Sequence, residues 1–186
     1  MLNIENFHLK CIEKKDLDLI LKWRNSEEIR SVMYQNHKIS KYEHFRWFEK
    51  LKYDDTKVAR LLVYNEKPIG FINFTKINKI NQTCYWGFYI GDKQSVKRAG
   101  TVLGIVALNF IFETYGIQKL CAEILDRNHI SLNFHKKFGF QEEGRYLNHI
   151  FRDNEYIDII TMTLLREQWM ERKEKIIKEL EGEKYE

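Results

Sequence analysis

The sequence predicts an α/β (α+β) fold of seven strands and five helices. Three observations carry this. Aromatic and β-branched runs are separated by turn clusters at Asn65-Glu66-Lys67-Pro68, Asn78 to Asn81 and Asp153-Asn154, which reads as strands joined by short turns. The stretches between these groups place apolar residues at helical spacing. A basic, glycine-bearing loop, Lys97 to Gly100, leads into an apolar stretch and then another strand.

Taken in order, Phe7 to Ile12 alternates like a strand, and Asp16 to Trp23 sets Leu17, Ile20 and Leu21 at helical spacing. Ser40-Lys41-Tyr42-Glu43 is a capping box that begins a helix running to about Leu51, with Phe45, Phe48 and Leu51 on one side. Core packing is the expected fate of Phe45, Phe48 and Phe71. Ala59 to Tyr64, Ile69 to Ile77 and Gln82 to Ile90 read as strands. Thr101 to Tyr115 reads as an apolar helix and Lys119 to Leu125 as a strand. Asn128 precedes a short basic helix closing on Phe138-Gly139-Phe140. Gln141 to Arg152 and Tyr156 to Leu165 flank Asp153-Asn154, a hairpin signal. Arg166 to Leu180 is a charged helix with Trp169, Ile176, Ile177 and Leu180 on one stripe. No internal repeat or boundary interrupts this layout, so residues 1–186 are expected to form one domain ending in a charged helix and tail over 166–186.

The composition, 44% hydrophobic and 31% charged, suits a soluble globular chain. One proline and nine glycines leave no room for a disordered linker. The net charge of +4 is compatible with a nucleotide-bearing ligand and with an ordinary surface. Cys11, Cys84 and Cys121 all fall in predicted strands, with no CxxC pair and no signal peptide, which reads as buried reduced thiols in a cytoplasmic protein. Val102 to Phe112, broken by Gly104 and Asn109, is too short to span a bilayer. The six histidines lack metal-ligand spacing, no nucleophile elbow or P-loop occurs, and no basic stripe with interleaved aromatics suggests nucleic acid.

A loop opening a helix offers backbone N–H groups without intrahelical partners, a ready anion site. Lys97 and Arg98 add charge, so a diphosphate is the expected guest. Lys97-Arg98-Ala99-Gly100-Thr101-Val102 resembles the Q/R-x-x-G-x-G/A loop of the GNAT family, the GCN5-related N-acetyltransferases. Lys97 stands for Gln or Arg, and Val102 stands where a small residue is usual. Asn128, Ser131, Phe134, Lys137, Gly139 and Phe140 fit the family's second signature, N-x-x-A/S-x-x-L/F-Y-x-K-x-G-F, with His135 at the tyrosine position. The resemblance covers about Phe7 to Trp169. It implies a mixed, mainly antiparallel seven-stranded sheet flanked by helices, here with an extra C-terminal helix. It also implies acetyl-CoA as cofactor, held by Ile90, residues 97–102, Asn128, Ser131, Phe134 and Lys137.

Amide formation from a thioester needs an unprotonated amine and a proton for the thiolate, and positioning supplies much of the rate. His135 occupies the position of the family's proton-donating tyrosine. Imidazole can donate near neutrality, but a histidine between Phe134 and lysines can equally be packing. Ser131 and water are the competing donors. Glu123 is the carboxylate candidate for the base, or a partner for a lysine. The strand Gln82 to Ile90 has no carboxylate and offers Tyr85 and Tyr89 instead.

The N-terminal third, including Leu21 to Asn25, Ile29-Arg30, Met33, His44 and Trp47-Phe48, with Phe74-Thr75-Lys76 and Trp86 to Tyr89, resembles one branch of the family. That branch acetylates the 4-amino group of a UDP-linked amino-deoxy sugar in pseudaminic acid biosynthesis. The resemblance implies Arg24, Asn25, Arg30, His44, Thr75, Lys76 and Tyr89 as polar contacts, with Trp23, Met33 and Phe74 as an apolar wall. The expected partner is a small molecule, with neither nucleic acid nor membrane, and a homodimer is left open. Two alternatives stand beside it: a ribosomal-protein-type N-terminal acetyltransferase, suggested by Glu143-Gly144, Tyr156 and Asp158, and a non-catalytic acyl-CoA-binding module.

Overall fold

The computed structural model describes residues 3–92, 94 and 96–182; the end of the expected tail, 183–186, lies outside them. Seven strands form one sheet: β1 (Phe7–Cys11), β2 (Val58–Tyr64), β3 (Lys67–Asn78), β4 (Thr83–Ile90), β5 (Lys119–Leu125), β6 (Gln141–Arg152) and β7 (Glu155–Leu165). Their order is β1-β2-β3-β4-β5-β7-β6. The pairing of β4 with β5 is parallel and the others are antiparallel. The helices are α1 (Leu17–Arg24), the single turn α2 (Glu27–Arg30), α3 (Lys41–Leu51), α4 (Ala99–Asn109), α5 (His129–Phe138) and α6 (Arg166–Glu181).

The turns follow from local chemistry. Asn65 and Glu66 both adopt positive φ, as do Asp153 and Asn154, which is the two-residue hairpin geometry that matches strand twist. The predicted four-residue turn over 65–68 therefore shrinks to two, and Pro68 enters β3. It is tolerated there because Tyr64↔Lys67 closes the hairpin and the next pair, Val63↔Pro68, is the non-hydrogen-bonded one, which needs no donor from Pro68. α3 begins with the predicted capping box: Glu43 N–H donates to Ser40 Oγ at 3.2 Å, and Ser40 N–H to Glu43 Oε2 at 2.8 Å. α5 ends in a Schellman motif. Gly139 sits at φ 95°, its N–H bonds Lys136 O, and Phe140 N–H bonds His135 O. The predicted helix 101–115 begins two residues earlier and loosens into a π turn at Phe110–Thr114.

Helices cover both faces of the sheet. α4 is apolar all round, and Leu103, Ile105 and Leu108 are fully buried, each contributing about 1.5–3 kcal/mol of transfer free energy. It packs on Leu62, Ile72, Phe74, Cys84 and Trp86, together with α5 and the Trp169 stripe of α6. Gly104 allows this close approach: a Cβ there would lie 2.6 Å from Phe138 and 2.7 Å from Phe134. α1 to α3 cover the opposite face over Ala59, Leu61, Val63 and Phe71.

Three expectations are corrected here. Phe45 is 41% exposed, because the inward face of α3 is His44, Phe48, Trp47 and Leu51. Phe74 is fully buried on the α4 face. Strand alternation puts its neighbour Thr75 on the other side, so Phe74 cannot wall an acceptor on the α1–α3 face. Cys11 is exposed, whereas Cys84 is buried, which pushes its thiol up to about 12. Among the described residues no helix is long and apolar enough to cross a membrane, and no group of three or more ligating side chains gathers around a metal position.

Candidate active site

β4 and β5 pair only over Thr83–Tyr85 and Lys119–Cys121. Beyond that their ladder ends, although both strands continue to Ile90 and Leu125. Backbone polar groups along the open stretch are free to pair with an extended ligand, as strands do with added chains. The two helices that follow these strands, α4 and α5, start on either side of the split.

On the α4 side, Arg98 adopts a left-handed conformation (φ 64°) and its carbonyl receives the N–H of Thr101 at 2.9 Å and of Val102 at 3.2 Å. The N–H groups of Ala99 and Gly100 have no partner within the helix. A Cβ at Gly100 would meet nothing within 4 Å, so the loop is open there. Val102 itself is fully buried, so only its backbone can serve a cofactor. Lys97 is exposed. The Arg98 guanidinium is turned away, onto Glu179 O and Leu180 O. On the α5 side Asn128 caps the helix, its Oδ1 accepting from Ser131 N–H at 3.1 Å. Phe134 stacks on Phe138, with centroids 4.4 Å apart, and lies against Trp86 and Phe88. Lys137 faces Glu179 at 4.0 Å.

His135 is only 3% exposed. Its Nε2 lies 3.1 Å from Trp86 Nε1, an indole N–H that can only donate. Nε2 therefore accepts, and Nδ1–H donates to Ser131 O at 2.7 Å. The rings of Trp86, Phe134 and Phe140 enclose it. Burial pushes its pKa down to about 4, the Ser131 carbonyl pulling weakly the other way. The expectation of a proton donor is corrected accordingly: a neutral imidazole with both nitrogens engaged has no proton to give a thiolate. Ser131 Oγ, half-buried and 3.3 Å from His135 Nδ1, is the hydroxyl remaining in this segment.

The opposite face of the split is polar. Tyr85, Gly87 and Tyr89 alternate along β4, cross-strand from Thr75, Asn73 and Phe71. A bulge between Thr75 and Asn78 puts Lys76 at φ 51° and re-aims its side chain. Its Nζ lies 4.2 Å from the Tyr85 ring centre and 3.8 Å from Glu123 Oε1. Glu123 is half-buried on β5, just past the last β4 pairing. Tyr34 is raised above its ordinary pKa by burial, then by the charges of Glu123 and Tyr146, so these groups share one neighbourhood. Asn73, missed in the sequence, has a buried Oδ1 without a partner beside the side-chain-free Gly87.

An aromatic row crosses this face from α3 to β4: His44 on Trp47 at 5.1 Å, Trp47 by Phe71 at 6.0 Å, and Phe71 on Tyr89 at 5.1 Å. Burial raises the Tyr89 phenol while nearby Arg24 pulls it down, so Tyr89 keeps its proton. Burial lowers His44, which is neutral near pH 7. Trp23 lies under the end of β4, where a Cβ on Gly91 would enter its ring at 2.0 Å. Met33 packs on the same cluster.

Several expected acceptor contacts hold the segment over 31–39 instead. Arg24 donates to Gln35 O, Arg30 to Asn36 O and Glu27, and Asn25 bonds Ile39 N–H and O at 2.8 Å each. Arg152, which the sequence reading missed, donates to Ser31 O, Met33 O and Tyr34 O at 2.9–3.0 Å. Its local signal is only an arginine before a turn. Even so, Arg24 Nη1 and Arg30 Nε are buried without partners, as is His44 Nε2, and each such group costs free energy until it is paired.

Comparison with known proteins agrees with this geometry. A family model described as an acetyltransferase (GNAT) domain matches residues 9–161. Acetyltransferase PseH from one strain of Campylobacter jejuni subsp. jejuni is 28% identical over 152 residues, covering 81% of this chain and 92% of that protein. PseH from a second strain is 30% identical over 141 residues, covering 75% and 85%. Spermidine N(1)-acetyltransferase of Vibrio cholerae is 24% identical over 171 residues, covering 89% and 96%. A crystal structure of spermidine N-acetyltransferase from Vibrio cholerae with CoA and spermine shares the fold, with a TM-score of 0.83 at 21% identity, covering 89% of this chain and 99% of that one. The chain belongs to the GNAT family and is an N-acetyltransferase that uses acetyl-CoA.

Proposed function

We propose that this enzyme acetylates the 4-amino group of a UDP-linked amino-deoxy sugar, the step read from the pseudaminic acid branch, by direct attack in a ternary complex. The observation that carries the proposal is the charge of the α1–α3 face. Arg24, Arg30 and Lys76 stand there, with buried donors on both arginines lacking partners, against Glu27 on Arg30 and Glu123 near the split. A polycation such as spermidine calls for the reverse balance, whereas a diphosphate fits this one. The aromatic row from His44 to Tyr89 supplies a stacking surface for a base. The PseH relatives support the same reading.

In this reading acetyl-CoA lies with its diphosphate at the amides of residues 99–102 and its extended arm in the β4–β5 split. The acceptor amine approaches from the Glu123 side. Glu123 takes the proton, directly or through water, while Lys76, 3.8 Å away, holds the carboxylate in place. The amine attacks the thioester carbonyl, the C–S bond breaks, and the thiolate is protonated by Ser131 or water. The test is thiol release from acetyl-CoA with a UDP-4-amino-4,6-dideoxy sugar, spermidine and an alanine-ended peptide as acceptors. Turnover of the UDP sugar, inhibited by UDP and not by uridine, is expected. Acetylation of spermidine or the peptide with none of the UDP sugar overturns the proposal.

A further inference from the structure

Two residues that the sequence assigns to the cofactor, Arg98 and Lys137, both face the last turn of α6. Arg98 Nη1 donates to Glu179 O at 3.1 Å and Leu180 O at 3.0 Å, and Lys137 Nζ meets the Glu179 carboxylate at 4.0 Å. These are end-of-helix carbonyls without helical partners, where a cation is favoured by the dipole. α6 is itself anchored. Trp169 is fully buried with its Nε1 on Asn109 Oδ1 at 3.0 Å, Lys173 pairs with Glu113 at 2.8 Å, and Ile176 and Leu180 are buried. Arg98 is also left-handed, a conformation rare outside glycine.

We propose that Arg98 is a positioning residue, and that the last turn of α6 belongs to the acetyl-CoA site. By gripping α6, Arg98 holds the left-handed turn that aims the free amides of Ala99 and Gly100 outward. Its charge favours the cofactor's diphosphate from behind the loop rather than by contact. This rests on the diphosphate lying at residues 99–102, a placement that fails separately if Gly100→Pro folds and leaves acetyl-CoA affinity unchanged.

The test uses the full-length enzyme. Arg98→Ala raises the KM for acetyl-CoA about fivefold, leaves kcat and the acceptor KM unchanged, and Arg98→Lys recovers part of the loss. Hydrogen exchange over 176–182 is slowed by CoA in the parent, faster in Arg98→Ala, and no longer responsive to CoA in that variant. If Arg98→Ala leaves the acetyl-CoA KM unchanged, the proposal is overturned. If KM rises while α6 exchange responds to neither the mutation nor CoA, Arg98 meets the diphosphate itself and the proposal is equally overturned.

Discussion

On the α4–α5 side of the sheet the candidate site is made of backbone: an open loop at Gly100, the N–H groups at the start of α4, and the unpaired edge of the β4–β5 split. On the α1–α3 side it is made of side chains: Glu123, Lys76, Tyr85, Asn73 and the row from His44 to Tyr89. A backbone site needs glycine and a helix start, and it tolerates departures such as Lys97 and Val102. A side-chain site depends on which residues the sheet brings together, so its members are scattered from Tyr34 to Tyr146. The cofactor side is therefore expected to be sensitive to small packing changes and the acceptor side to the loss of single polar groups.

The largest effect expected from breaking this contrast is acid sensitivity on the cofactor side. His135 titrates near 4 in the fold against an ordinary 6.5. Between those values the unfolded chain binds a proton that the folded one refuses. The contribution to stability is complete above about pH 6.5 and is lost as pH falls toward 4, by about 3 kcal/mol. Urea midpoints should fall over this window in the parent and fall less in His135→Phe. His44, shifted in the same direction, leaves part of the slope. Equal slopes in both proteins contradict a neutral, hydrogen-bonded His135.

Next in size, Glu123→Gln should lower kcat about a hundredfold, the low end for a general base, with little change in acetyl-CoA affinity. A variant as fast as the parent moves the base elsewhere on this face. Smaller again, Gly104→Ala should cost about 1–3 kcal/mol through overpacking against Phe134 and Phe138, read as a lower Tm. An unchanged Tm shows that α4 and α5 can part without cost.

Most of the architecture was legible because strand alternation, the Ser40 capping box and the Asp153-Asn154 turn are local signals, and all three appear at the expected places. The loop Lys97 to Gly100 was legible as the start of an apolar helix for the same reason. Phe45 was misread because two helical faces of α3 are aromatic, and only the fold selects the one carrying His44 and Phe48. His135 was misread because its environment comes from Trp86 and Phe140 on other elements. Arg152 and Asn73 escaped notice because their roles are contacts with chain far away in sequence. Arg24 and Arg30 stand in the expected region, yet their main partners are the carbonyls of the 31–36 loop.

The central claim is that cofactor and nucleotide occupy opposite faces of one split sheet. Calorimetric titration of UDP into the enzyme, free and saturated with CoA, tests it most directly. The account predicts that UDP binds the CoA-saturated enzyme about as well as the free enzyme. Loss of UDP binding on saturation with CoA places both diphosphates at the same loop and contradicts it.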